Sequence, residues 1–185
     1  MKNFTVKEIV LSAAADVGVY EQVKAYFDGD NDSTEANKLL RCFNLVESEL
    51  ALDYLPLYAE DTVYTETGTV PYTKLTRHAV RVVEVTDEWE NKVAFRLFPE
   101  HLKTQAGGTL RIRYAYAPVE KTLHDDSDYH LWVSVRLFSY GVAAEYCLAH
   151  GLFEEAAVWD KKYKDAIAAA CREKPTRIMQ SRRWV

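Results

Sequence analysis

Two apolar stripes in the last third of the chain constrain its fold more than any other feature. Leu131, Val135, Phe138, Val142, Tyr146 and Ala149 step by 4, 3, 4, 4 and 3 residues. Leu152, Ala156, Trp159, Tyr163, Ile167 and Ala170 repeat that spacing. A period near 3.6 places each set along one side of an α-helix. His150-Gly151 separates the stripes, and Gly151 suits the left-handed position that closes a helix. The spacing predicts an antiparallel helical pair from Leu131 to Arg172 facing one core. The partner surface lies upstream, in a long central helix predicted over Ser33–Tyr54. There Leu39, Phe43, Val46, Leu50 and Tyr54 form a third stripe, and Pro56 ends it because the residue before a proline is pushed out of the α region.

Ahead of that helix, Thr5 and Glu8 form a capping box that starts a helix running to about Asp16, with Ile9, Val10, Ala13 and Ala14 on one side. Gly18 interrupts it, and Tyr20–Phe27 reads as a second short helix. Asp28, Asp30 and Asp32 alternate like the opening of a calcium loop, but its sixth and twelfth positions would be Ser33 and Leu39 instead of Gly and Glu. A polar turn in which Asp32 or Ser33 caps the next helix is the better account.

Between Leu57 and Ala117 the period changes to 2. Leu110, Ile112, Tyr114 and Tyr116 share one face opposite Arg111 and Arg113, while Val93, Phe95 and Leu97 point one way in KVAFRLF. HAVRVVEV is almost continuously apolar, as in a strand covered on both faces. Gly107-Gly108 predicts a two-residue hairpin, and DEWEN at 87–91 a polar turn. One antiparallel sheet of four or five strands is expected, inserted between helical segments. The fold class is therefore α+β: an N-terminal helical part (1–56), an inserted β region (57–118), the helical pair (119–172) and an extended basic arm (173–185).

The chemistry-bearing residues are sparse. His124, Asp125, Asp126, Asp128 and His130 fall within seven residues, and His with Asp at short spacing can ligate zinc or manganese. The simpler reading makes Asp126, Ser127 and Asp128 caps of the following helix, with acid at its positive end. A metal-dependent enzyme using His124, Asp126 and His130 is thus the alternative, and no metal or cofactor is the favoured expectation. There is no GxSxG, no phosphate-binding glycine loop and no local Cys–His signature, so the chain is not read as an enzyme. Cys42, Cys147 and Cys171 sit in apolar helical patterns and are expected to be buried thiols. No run approaches the ~20 apolar residues of a membrane span. MKNFTVKEIVL is interrupted by charge too early for a signal peptide, so synthesis in the cytosol is expected. The net charge of −5 argues against nucleic-acid binding by the whole surface. The end is different: Lys174, Arg177, Arg182 and Arg183 are followed by no acidic side chain. Its Trp and Arg residues are the types that dominate protein interfaces, which favours protein docking over a frayed end or nucleic-acid contact.

The run Tyr146–Ala169 (YCLAHGLFEEAAVWDKKYKDAIAA) resembles the closing helical segment of head–tail connector, or adaptor, proteins of tailed bacteriophages. In that pattern an aromatic-alanine helix ends at a glycine, and a Phe-Glu-Glu-Ala opening leads into a Tyr-containing helix. LLRCFNLVESELALDYLPL, Leu39 to Leu57, is similar to the helix that precedes the family's β region, and Arg182-Arg183-Trp184 to its extended arm. The resemblance implies a structural virion protein: a dodecameric ring, assembled in the host cytoplasm, at the head–tail interface. It would dock on the portal protein, extend the channel through which double-stranded DNA passes, and give the tail or the next connector component a platform. It makes Arg177, Ile178, Met179, Arg182, Arg183 and Trp184 the expected portal contacts.

Overall fold

The computed structural model describes residues 4–29, 32, 34–129 and 133–172. The fold is α+β and divides into two compact units: Met1–Glu47 with Glu120–Val185, and Ser48–Val119. The arm 173–185 lies outside the described residues.

The helical unit contains α1 (Val6–Asp16), α2 (Tyr20–Phe27), most of α3 (Thr34–Glu49), α4 (Val135–Ala149) and α5 (Phe153–Arg172). Helix α1 begins as its sequence directs, with the Thr5 hydroxyl accepting from the Glu8 N–H at 3.1 Å. Its buried face is Val6, Ile9, Val10, Ala13 and Ala14. Asp32 accepts from the Thr34 N–H and so caps α3. The core is centred on Phe43 and Phe138, both fully buried, with ring centroids 5.5 Å apart; Tyr129 meets Phe138 edge-on at 5.6 Å. Truncating either phenylalanine to alanine would cost about 3–5 kcal/mol. Gly141 lets three helices approach closely. A Cβ there would lie 2.8 Å from Val46 Cγ1 and 2.9 Å from Tyr163 Cε2. Helix α4 closes with the Leu152 N–H donating to the Cys147 carbonyl and the Gly151 N–H to the Leu148 carbonyl, Gly151 having φ +73°.

Four details of the helical reading change. The C-terminal helical pair begins at Val135, not Leu131, because Ser134 is its cap and accepts from the Leu137 N–H. Ser127 and Asp128 are engaged elsewhere, as described below. The long helix loses its α geometry at Glu49 and finishes as a π-helical turn, Leu50–Tyr54, leaving Tyr54 exposed and off the buried stripe. Cys42 and Cys147 are buried, whereas Cys171, one residue past buried Ala170, turns to solvent.

The β unit holds β1 (Leu57–Thr65), β2 (Thr69–Pro71), β3 (Ala79–Thr86), β4 (Phe95–Leu97), β5 (His101–Thr104) and β6 (Gly108–Tyr116). It is not one sheet of four or five strands but two antiparallel three-stranded sheets, ordered β1-β6-β3 and β2-β5-β4. Their inner faces share one core, with Val63, Val82, Val85, Leu110, Ile112 and Tyr114 from the first sheet and Val70 and Leu102 from the second. The face carried by Leu110, Ile112 and Tyr114 is the one read from the sequence.

Gly107-Gly108 does not make a hairpin, since β5 and β6 belong to different sheets. Gly107 is instead needed for close approach: a Cβ there would lie 2.1 Å from the Glu66 carbonyl oxygen. Gly68 (φ +72°) meets the same crowding from the other side, 2.8 Å from the Thr104 carbonyl oxygen. Nor is β3 covered on both faces. Two bulges, between Ala79 and Arg81 and between Val82 and Glu84, interrupt its pairing with β6 and leave Val80 and Val83 exposed. The unbroken apolar run is the signature of those extra residues. The turn at 87–91 is present: Asp87 Oδ1 accepts from the N–H groups of Trp89 and Asn91, and Val93 pairs back to Val85.

Candidate functional site: a cleft on the helical unit

The stretch that carries the resemblance also builds one wall of a surface cleft on the helical unit. A cleft of about 280 Å³ runs between α3 and α4, lined by Lys38, Arg41, Cys42, Leu45, Glu145, Tyr146, Ala149 and His150. Helical spacing places these side chains: Lys38, Arg41, Cys42 and Leu45 repeat at three or four residues on α3, as Glu145, Ala149 and Tyr146, His150 do on α4.

A polar network joins the two helices at this cleft. Tyr146 Oη donates to Glu35 Oε2 at 2.6 Å, and Lys38 Nζ donates to Glu35 Oε1 at 2.7 Å. Lys38 Nζ lies 3.4 Å from His150 Nε2, and the His150 ring stacks on Tyr146 with centroids 4.1 Å apart. Hydrogen bonds from Lys38 and then Tyr146 hold the Glu35 carboxyl below the usual glutamate range. Burial, and next the Glu35 carboxylate, push the Tyr146 phenol upward, so it stays neutral and donating. Burial also pushes the Cys42 thiol up to about 11, which removes it as a nucleophile near neutral pH. Within this network the Glu35 carboxylate is shared between the Tyr146 hydroxyl and the Lys38 ammonium.

Exposed apolar side chains occur on the same elements. Leu45 is exposed on α3, and the turn after Ala149 and His150 exposes Leu152 and Phe153, the latter 70% accessible. Leu148, one residue ahead of the cleft-lining Ala149, is exposed as well. The turn thus holds three large apolar side chains, Leu148, Leu152 and Phe153, out of the core.

A second polar cluster is structural. Glu47, 1% exposed, accepts from the Ser127 hydroxyl at 2.6 Å and the Asp128 N–H at 3.0 Å. Burial raises its carboxyl above the usual range, against the pull of those hydrogen bonds. Lys121 Nζ donates to Asp128 Oδ1 at 2.7 Å, and both side chains are nearly buried. The segment 120–129 is thereby fastened to α3 and, through Ser127 N–H to Phe4 carbonyl and Val6 N–H to Asp125 carbonyl, to the start of α1.

Three of the candidate metal ligands have other contacts in the fold. Asp126 makes a bridge with Thr5, Asp125 accepts from the Thr122 N–H, and His124 packs edge-on against Phe27. His130 lies outside the described residues, among which no three metal-ligating side chains gather. Arg177, Ile178, Met179, Arg182, Arg183 and Trp184 also lie outside them. Among the described residues no helix is long and apolar enough to cross a membrane.

No protein-family model matches the chain, and comparison with curated protein sequences returns no relative.

Proposed function

We propose that this chain is a structural subunit of a phage head–tail connector: a ring of identical copies that docks on the portal protein and extends the DNA channel toward the tail. The observation that carries the reading is the apolar surface at the α4–α5 turn, where Leu148, Leu152 and Phe153 stand exposed beside the α3–α4 cleft. This surface lies within Tyr146–Ala169, the run that carries the resemblance, and it suits a contact between neighbouring copies. In this reading the cleft receives the adjacent subunit. The basic arm, through Arg177, Ile178, Met179, Arg182, Arg183 and Trp184, grips the portal. A net charge of −5 suits a channel wall along which DNA slides without adhering. The protein performs no catalysis, and its place is the head–tail interface of the virion.

Native mass spectrometry of the full chain, alone and with the portal protein of the same genome, tests this. The expected result is a closed ring that Phe153→Glu disperses to smaller species without loss of helical content. Deletion of 174–185 should leave a folded chain that no longer binds portal. Rings that survive Phe153→Glu would refute the role of the α4–α5 turn, and portal binding by the truncated chain would refute the role of the arm.

A further inference from the structure

The β unit carries a second, unrelated contact surface. Strand β1 is an edge strand of nine residues, and among the described residues β6 is its only strand partner. Edge strands are ordinarily guarded by proline, lysine, bulges or shortness. LYAEDTVYT contains no proline or basic residue, and its register with β6 runs unbroken from Leu57↔Tyr116 to Thr65↔Gly108. The opposite edge, β3, has two bulges, and Lys92 and Val93 cover its C-terminal end. One inward charge does sit on β1, but the Asp61 carboxylate is already taken up by Thr76 N–H at 2.7 Å, Thr76 Oγ1 at 2.9 Å and Tyr114 Oη at 2.6 Å. What such an edge can pair with is another extended backbone, which meets its outward N–H and C=O groups in a continuous ladder.

The order of side chains selects the occupant. The outward face of β1 reads Tyr58, Glu60, Thr62, Tyr64, symmetric in its tyrosines about Asp61, and both tyrosines are exposed (46% and 64%). Two β1 strands laid antiparallel and centred on Asp61 set each Tyr58 opposite the other copy's Tyr64. Glu60 then faces Thr62 and keeps its own Arg111 at 3.3 Å, so the one like-charge encounter is Asp61 against Asp61 at the centre, where each carboxylate is already held by its own Thr76 and Tyr114. On the inner side Leu57 faces Thr65 and Ala59 faces Val63. A shift of the centre by one residue toward the N-terminus exchanges the central Asp61 encounter for Glu60 against Glu60 and loses both tyrosine pairs, so the tyrosines select the register. We infer that the β1 edge pairs with β1 of a second copy, antiparallel and centred on Asp61, joining two three-stranded sheets into one of six strands. One strand per copy falls short of the ~1,200–2,000 Å² typical of a stable interface, so the dimer is reversible and concentration-dependent. A two-fold contact of this kind closes at two copies. It is therefore distinct from the ring contact proposed for the helical cleft.

Sedimentation velocity of the full chain over a range of micromolar concentrations, with hydrogen exchange at residues 57–65, tests the pairing. Phe153→Glu serves as the background that removes the ring contact. The expected result is a monomer–dimer equilibrium in that background, with slower exchange in β1 at high concentration. Tyr58→Lys with Tyr64→Lys sets like charges opposite one another twice and abolishes the dimer. Tyr58→Lys with Tyr64→Glu sets opposite charges in the same places and restores it. Asp61→Asn removes the one like-charge encounter at the centre and tightens the dimer roughly tenfold. A Phe153→Glu protein that stays monomeric throughout, a dimer indifferent to the tyrosine substitutions, or a charge-swapped pair that fails to dimerise would each overturn the proposal. None of these results bears on whether the ring itself forms.

Discussion

Replacing Glu47 by alanine separates the structural polar cluster from everything around it. The carboxylate is the acceptor for two buried donors, the Ser127 hydroxyl and the Asp128 N–H. Its loss leaves both without that acceptor in a place water does not reach, at about 1–3 kcal/mol for each. A cost of about 3–5 kcal/mol is expected once the cavity left by the side chain is included. At about 2–4 °C per kcal/mol for a chain of this size, melting falls by about 6–20 °C. Far-UV circular dichroism would follow the melt, and faster hydrogen exchange at the Ser127 amide, which donates to the Phe4 carbonyl, would locate the damage. Glu47→Gln retains an acceptor oxygen and should cost much less, and it also isolates the pH dependence. Because the folded carboxyl holds its proton more tightly than the unfolded one, its contribution is fully present below about pH 4.5. It is lost as pH rises from there through the folded value. The wild type should therefore lose stability relative to Glu47→Gln on going from pH 4 to pH 7. An alanine variant within ~1 kcal/mol of wild type, or a wild type and glutamine variant with parallel pH profiles, would refute the argument.

Two further outcomes follow from packing. Gly141→Ala drives a methyl group into Val46 and Tyr163 and should cost about 1–3 kcal/mol, read as a lower urea midpoint; an unchanged midpoint would show that the three helices yield freely. Thiol titration of the native chain at pH 8 should label Cys171 at once and Cys42 and Cys147 only on unfolding, since burial covers both and raises both thiols; rapid labelling of two or three sites would contradict their burial.

Most of the helical unit is legible in the sequence because its signals are local. The stripe through Phe138, Val142 and Tyr146, the stripe through Ala156, Tyr163 and Ile167, the Thr5 cap and the Gly151 turn each depend on residues within a few positions of one another. The strand faces of β6 are legible for the same reason. The division into two sheets is not, because Gly107 looks like a hairpin glycine until Glu66, far earlier in the chain, is found against it. The valines of β3 look like a two-sided strand because bulges add residues without changing composition. The cleft was hidden most completely. Tyr146 and His150 are visible as an i, i+4 pair, but the acid that organises them, Glu35, lies 111 residues away from Tyr146.

The clasp between Asn44 and Lys121 gives the chain its modularity. The Asn44 side chain donates to the Lys121 carbonyl at 3.1 Å and accepts from the Lys121 N–H at 2.8 Å, as a neighbouring strand would. The polypeptide thus leaves the helical unit and returns to it at nearly one point, fixed by residues on the helical side alone. Whatever is spliced between those ends need only begin and finish together. A lineage could lengthen, shorten or exchange the β cassette by recombination while every contact of the clasp stayed as it is. The same property makes Glu47 and Glu120 the natural seams for grafting.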